Sequence, residues 1–132
     1  TAARLTELIG KDRETLVVVD DYEVLGNDHA LTAPLEAHVK GCRDSAGGVL
    51  VACNIDEAQG LYRGFMTTVR KNRTGLLLAP RAPDDGNIFS TRLPRSVGAP
   101  APLGRAIMIT TQGWTWVQVP HAADPRTGPA DL

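Results

Sequence analysis

Apolar residues fall in short blocks separated by polar, turn-forming segments, and the spacing inside each block selects the element. Leu16-Val17-Val18-Val19 is a continuous apolar run, three of its residues β-branched, and predicts a strand over residues 16–20 buried on both faces. Val49-Leu50-Val51-Ala52-Cys53 predicts a second buried strand after the turn Ser45-Ala46-Gly47-Gly48, with Asn54 ending it. Leu76-Leu77-Leu78-Ala79 predicts a third. Between these blocks the period changes. Residues 1–9 read as a short helix ending near Gly10. Residues 22–32 read as a polar connection. Thr32 could N-cap a helix running to about residue 43, with Pro34 in its first turn and Leu35 and Val39 on its apolar face. Ala58, Leu61, Tyr62, Phe65, Met66 and Val69 form an i, i+3, i+4, i+7, i+8, i+11 stripe, which predicts one helix over residues 56–72 interrupted in propensity by Gly60 and Gly64.

Helices alternating with strands predict an α/β fold with a parallel sheet. After Pro80 the character changes. Residues 81–105 are rich in Pro, Gly and Arg, with one short helix expected near residues 88–91. Residues 106–110 and 114–119 alternate as a hairpin turning at Gln112-Gly113, which puts Trp114 and Trp116 on one side with at least one of them buried. Residues 121–132 carry little apolar content and are expected to be a disordered tail.

The first strand runs into Asp20-Asp21, at the end where open α/β sheets bind ligands. This is the Walker B pattern of nucleotide-hydrolysing domains, in which one carboxylate holds Mg²⁺, usually through water, and the next orients the attacking water. The other reading is a strand followed by an Asp-rich turn. A P-loop, G-x-x-x-x-G-K-S/T, is absent: the only Gly-Lys is Gly10-Lys11, followed by Asp12. His29, His38 and His121 have no ligand spacing and read as surface or loop residues. No serine lies in a G-x-S-x-G setting.

Composition refines this picture. With 132 residues, 42% of them apolar, the chain has a one-domain length and can bury a core, while no apolar run approaches the ~20 residues of a membrane span. Cys42 and Cys53, with ten residues between them, match no metal motif and read as reduced thiols in a cytosolic setting, Cys53 as a small core residue. The net charge of −1 conceals a split: residues 1–62 carry 5 basic and 11 acidic side chains, residues 63–105 carry 8 and 2. Such polarity suits head-to-tail stacking of copies, or simply two differently solvated faces. Overall neutrality argues against an independent nucleic-acid binder.

Four features together resemble the C-terminal half of an FtsK/SpoIIIE-type RecA-like ATPase module, and more narrowly the last ATPase domain of the EccC proteins of actinobacterial type VII secretion systems. They are Val17 through Tyr22 with Pro34-Leu35 opening the next helix, the strand ending at Asn54, Arg73-Thr74-Gly75-Leu76-Leu77-Leu78, and Ser90 to Pro94 followed by Leu103-Gly104-Arg105 and a hairpin. The resemblance covers residues 1–120 and implies a partial RecA-like P-loop NTPase fold, a parallel sheet flanked by helices with a C-terminal antiparallel hairpin. It implies that Asp20 holds Mg²⁺, that Asp21 stands where active members carry a catalytic Glu one methylene longer, and that Asn54 senses the γ-phosphate of ATP unless it merely caps a helix. Arg73 resembles an arginine finger reaching a neighbouring subunit, or else a solvated helix-end residue. Arg63 and Arg70 read as a solvated or interface face. Without the P-loop strand a RecA-like sheet lacks a core member, so an upstream segment or another copy is expected to complete it.

The resemblance further implies ATP-driven protein export at the inner face of the cell membrane, with membrane contact made by other parts of the full protein. This module would be weakly active or a docking platform for secreted helical-hairpin substrates. Candidate apolar contacts are Ile88, Phe89, Leu93 and Trp114, for which core packing is the other reading. Its other partners would be further ATPase modules or copies of itself, and no nucleic acid. A DNA-translocase half and a non-catalytic protein-binding domain are the alternatives.

Overall fold

The computed structural model describes residues 2–12, 14–26 and 29–120. The chain is mixed α/β and divides into two compact units, residues 1–73 and 74–132. The disordered tail expected over residues 121–132, and His121 within it, lie outside the described residues. No described helix is long and apolar enough to cross a membrane.

The first unit holds helix α1 (Ala2–Lys11), strand β1 (Leu16–Val19), the single-turn helix α2 (Tyr22–Leu25), α3 (Thr32–Gly41), strand β2 (Gly48–Val51), α4 (Ile55–Gly60) and α5 (Phe65–Arg70). β1 and β2 pair in parallel, Leu16 opposite Gly48 through Val19 opposite Val51. The expectation of strands buried on both faces is corrected. Val19 is buried and Val17, Val49 and Val51 are half-buried, but on the other face Leu16, Val18 and Leu50 are 62%, 62% and 59% exposed. Strand side chains alternate, and this two-stranded sheet is covered on one face only. Leu35, Tyr22, Ala58, Phe65 and Met66 complete the core.

Four further expectations are corrected in this unit. Thr32 does not cap α3 but lies in its first turn, where its hydroxyl donates to the carbonyl of His29 (2.7 Å). His38 is buried rather than superficial. It sits one turn beyond Leu35 on the inward stripe, and its Nε2 lies 3.2 Å from the Thr15 carbonyl and 3.3 Å from that of Gly48, tying α3 to the starts of both strands. The single helix expected over residues 56–72 is two helices. Gly64 has φ 82°, which breaks helical geometry and favours glycine. Arg70 Nη1 donates to the carbonyls of Ala58 (3.2 Å) and Leu61 (3.1 Å), so this arginine satisfies the end of α4 instead of facing solvent. Tyr62, exposed beside the break, leaves the apolar stripe.

The second unit contains β3 (Gly75–Leu78), β4 (Arg105–Thr110) and β5 (Gly113–Gln118), an antiparallel sheet in the order β3-β4-β5. β3 is therefore not the third parallel strand that the sequence suggested. Its register with β4, Gly75 opposite Ile109 and Leu78 opposite Ala106, places Leu77 with Ile107 on one face, where both are buried. The loop between them forms a 3₁₀ helix at Pro83–Phe89, earlier than the helix expected near residues 88–91, and buries Ile88, Leu93 and Val97. Core packing thus accounts for Ile88 and Leu93. The buried Asp85 carboxylate closes the loop by accepting the amides of Arg81 (2.6 Å) and Ala82 (3.2 Å). Gly98, at φ 90°, lies against the Arg81 carbonyl with no room for a Cβ.

The hairpin turns at Thr111-Gln112, one residue earlier than expected, because Gly113 already pairs with Thr110. Trp114 and Trp116 share a face as expected, edge-on with centroids 6.4 Å apart, and the Arg105 guanidinium lies 5.9 Å from the Trp116 ring. Neither indole is buried: Trp114 is exposed and Trp116 half-buried, the aromatic and cation–π contacts holding them at the sheet's rim.

One-sided burial of the parallel pair makes a direct prediction. Leu35→Ala should cost about 2–5 kcal/mol and Leu50→Ala no more than about 0.5 kcal/mol in urea unfolding of the first unit. Equal losses would contradict it. Gly98→Ala should destabilise the second unit by more than about 1 kcal/mol, read as a lower urea midpoint.

Candidate functional site

At the carboxyl end of β1 two backbone hydrogen bonds fix where the chain leaves the sheet. The Ala52 amide donates to the Val19 carbonyl (2.8 Å), and the Tyr22 amide donates to the Ala52 carbonyl (3.1 Å). Asp20 and Asp21 are held between these bonds. Asp20 Oδ1 accepts the Asp21 amide at 3.1 Å. Asp21 adopts left-handed geometry (φ 48°, ψ 52°), which aspartate tolerates better than most residues, and precedes α2 as its N-cap. Both carboxylates face solvent.

Tyr22 anchors this corner. It is 1% exposed, and its ring centroid lies 5.4 Å from that of Phe65 on α5. Burial pushes its hydroxyl's pKa up, against a smaller opposing effect of a backbone hydrogen bond at Met66. Glu23 points the other way, its Oε2 accepting the Asn54 amide at 3.4 Å. Burial, and secondarily the Glu23 charge, raises the pKa of the half-buried Cys53 thiol at the end of β2. Cys42 is likewise half-buried and free.

Asn54 performs the helix-capping role named as its alternative: its Oδ1 accepts the Asp56 amide at 3.0 Å and starts α4. The structure thus gathers Asp20, Asp21 and Asn54 at one end of the strand pair. Arg73 is not among them. α5 leaves the corner at Phe65, and the residues after it, Lys71 and Asn72, line a hollow together with Gly47 and Gly48 at the start of β2. A six-residue helix rises about 9 Å. Arg73 therefore follows at the opposite end of the pair, exposed, at φ 49°, its amide donating to the Arg70 carbonyl (3.0 Å).

Sequence reading missed Tyr22 and Glu23. The available signal was the tetrad Asp-Asp-Tyr-Glu, in which Tyr22 is the one large side chain with apolar surface to bury. With Asp20, Asp21, Glu23, Asp56 and Glu57 in and around this corner, its potential is negative. It would repel a bare polyphosphate and suits one brought in with a cation. Exposed carboxylates are hard oxygen donors, appropriate for a Mg²⁺ that keeps most of its waters. Among the described residues no three His, Cys, Asp or Glu side chains converge into a complete metal cage, so any ion here would depend on a ligand's phosphates as well.

Comparisons with protein-family models, with curated proteins and with solved structures find no match for this chain.

Asn54→Ala should remove the α4 cap and cost about 1 kcal/mol, with Asn54→Asp retaining most of it, as read by urea unfolding. Glu23→Gln should speed Cys53 alkylation at mildly alkaline pH, because removing the neighbouring charge favours the thiolate. An unchanged rate would place Glu23 away from the end of β2.

Proposed function

We propose that this chain is the Walker B half of an FtsK/SpoIIIE-type, RecA-like ATPase module similar to the last ATPase domain of the EccC proteins of type VII secretion systems. The observation that carries the reading is the adjacency of two parallel strands whose carboxyl ends deliver Asp20-Asp21 and Asn54 to one place. Catalytic carboxylates and a phosphate-sensing amide are needed side by side, and parallel neighbours provide that with every strand end facing the same way. The uncovered apolar face formed by Leu16, Val18 and Leu50 fits a sheet that a further layer covers in the complete module.

In this reading Asp20 would hold the Mg²⁺ of Mg·ATP. Asp21 would orient the attacking water from a carboxylate one methylene shorter than Glu, which would slow turnover. Asn54, whose Oδ1 caps α4, would be the phosphate-sensing amide. Arg73, at the far end of the pair, is placed to serve a neighbouring copy and not its own acid pair. The phosphate-binding backbone and lysine come from a P-loop that this sequence does not contain.

A slow ATPase of this kind functions chiefly as a docking platform for the C-terminal signals of secreted helical-hairpin substrates, on the cytoplasmic side of the membrane and beside other ATPase modules. The exposed Trp114 rim in the second unit offers an apolar contact for such a segment. The test is calorimetric titration of the chain with C-terminal peptides of type VII substrates and, separately, with Mg·ATP and duplex DNA. Saturable peptide binding, with neither ATP nor DNA bound, is expected. Tight ATP binding by the chain alone would overturn the assignment of the missing P-loop, and salt-dependent DNA binding would favour a DNA translocase.

A further inference from the structure

A hollow of about 710 Å³ opens beside the amino end of β2, at the other end of the strand pair from Asp20 and Asp21. Val39, Val49 and Val69 contribute apolar wall; Lys40, Arg43 and Lys71 contribute cations. Among the described residues Glu36 is the one carboxylate in the lining. It is engaged: Lys40 Nζ lies 2.9 Å from its Oε1, and the Thr68 hydroxyl donates to the same oxygen at 3.4 Å. Lys40, with a lesser contribution from Lys71, holds the Glu36 carboxyl below its ordinary pKa. Among the described residues neither Arg43 nor Lys71 is paired with a carboxylate.

The competing explanation is that these cations only complement the carboxyl ends of α3 and α5. Magnitudes decide against it as a full account. Three cations against Glu36 leave two positive charges in the lining. Two helix carboxyl ends contribute at most about −0.5 each, and the six-residue α5 less. About one positive charge remains over an apolar floor, which suits a small anion. An arginine fork and a lysine point charge are the donor types that recognise oxyanions.

We propose that this hollow binds a phosphate-bearing anion, with Arg43 and Lys71 as its principal contacts. The site is separate from the nucleotide reading of Asp20 and Asp21, and it stands or falls independently. Without a divalent cation the acidic corner repels phosphate, so metal-free binding reports on the hollow alone.

The test uses the whole chain in EDTA, titrated with inorganic pyrophosphate. Binding is followed by amide NMR shifts and by alkylation of Cys42, which lines the hollow, with Cys53 at the other end of β2 as the internal comparison. Saturable shifts at residues 39–48 and 68–72 are expected, with slowed labelling of Cys42 and unchanged labelling of Cys53. Arg43→Gln with Lys71→Gln should weaken pyrophosphate by about tenfold or more, and Lys71→Gln alone by less. Both side chains are exposed, so both variants should fold. Absent saturation, an unaltered Cys42 rate, or unchanged affinity in the double variant would each overturn the proposal.

Discussion

The first unit depends on the way Ala52 bridges the two strands. Its amide donates to Val19 and its carbonyl accepts Tyr22, so one residue of β2's extension sets both the last rung of the parallel pair and the direction in which the chain departs. Between these bonds the backbone must turn within two residues, which Asp21 achieves in left-handed geometry. That conformation costs about 1–2 kcal/mol for a non-glycine residue. Burying Tyr22 against Phe65 offsets it, since fully burying a large apolar side chain contributes about 1.5–3 kcal/mol. The carboxylates are solvent-facing as a consequence: the same turn that drives the tyrosine in leaves the aspartates out.

How much of this was legible in the sequence follows the range of the interactions involved. Strand cores with dense β-branched or leucine content, β1 at Leu16–Val19 and β3 at Gly75–Leu78, were readable within a residue because local pattern determines them. Pairing partners were not. β3 reads as one more strand of a parallel series, and only the register of Leu77 against Ile107 assigns it to the hairpin sheet. The division of the 56–72 helix was half legible: Gly60 and Gly64 signalled weakness, but the Arg70 side chain that satisfies the α4 end acts across nine to twelve residues and leaves no periodic trace. Spacing between the histidines says nothing of His38, whose burial follows from its position one turn after Leu35 on the inward face of α3.

For the candidate site, strand-end position points to Asp20 and Asp21, whereas Asn54 enters only through the resemblance; parallel pairing brings all three to one end. Glu23 was invisible to that rule, being one residue into a helix. The resemblance assigns Arg73 to a neighbouring subunit's site rather than to its own, and α5 carries the chain away from the acid pair before Arg73 is reached. The ends of the strand pair also differ in charge, with Asp20 and Asp21 at one and Lys40, Arg43 and Lys71 around the hollow at the other.

The most direct test of the ATPase account is paramagnetic relaxation by Mn²⁺·ATP on this chain joined to the P-loop-bearing part of an FtsK/SpoIIIE-type ATPase. The account predicts line broadening centred on Asp20, Asp21 and Asn54 that disappears in Asp20→Ala. Broadening centred elsewhere, or unaffected by Asp20→Ala, would contradict it.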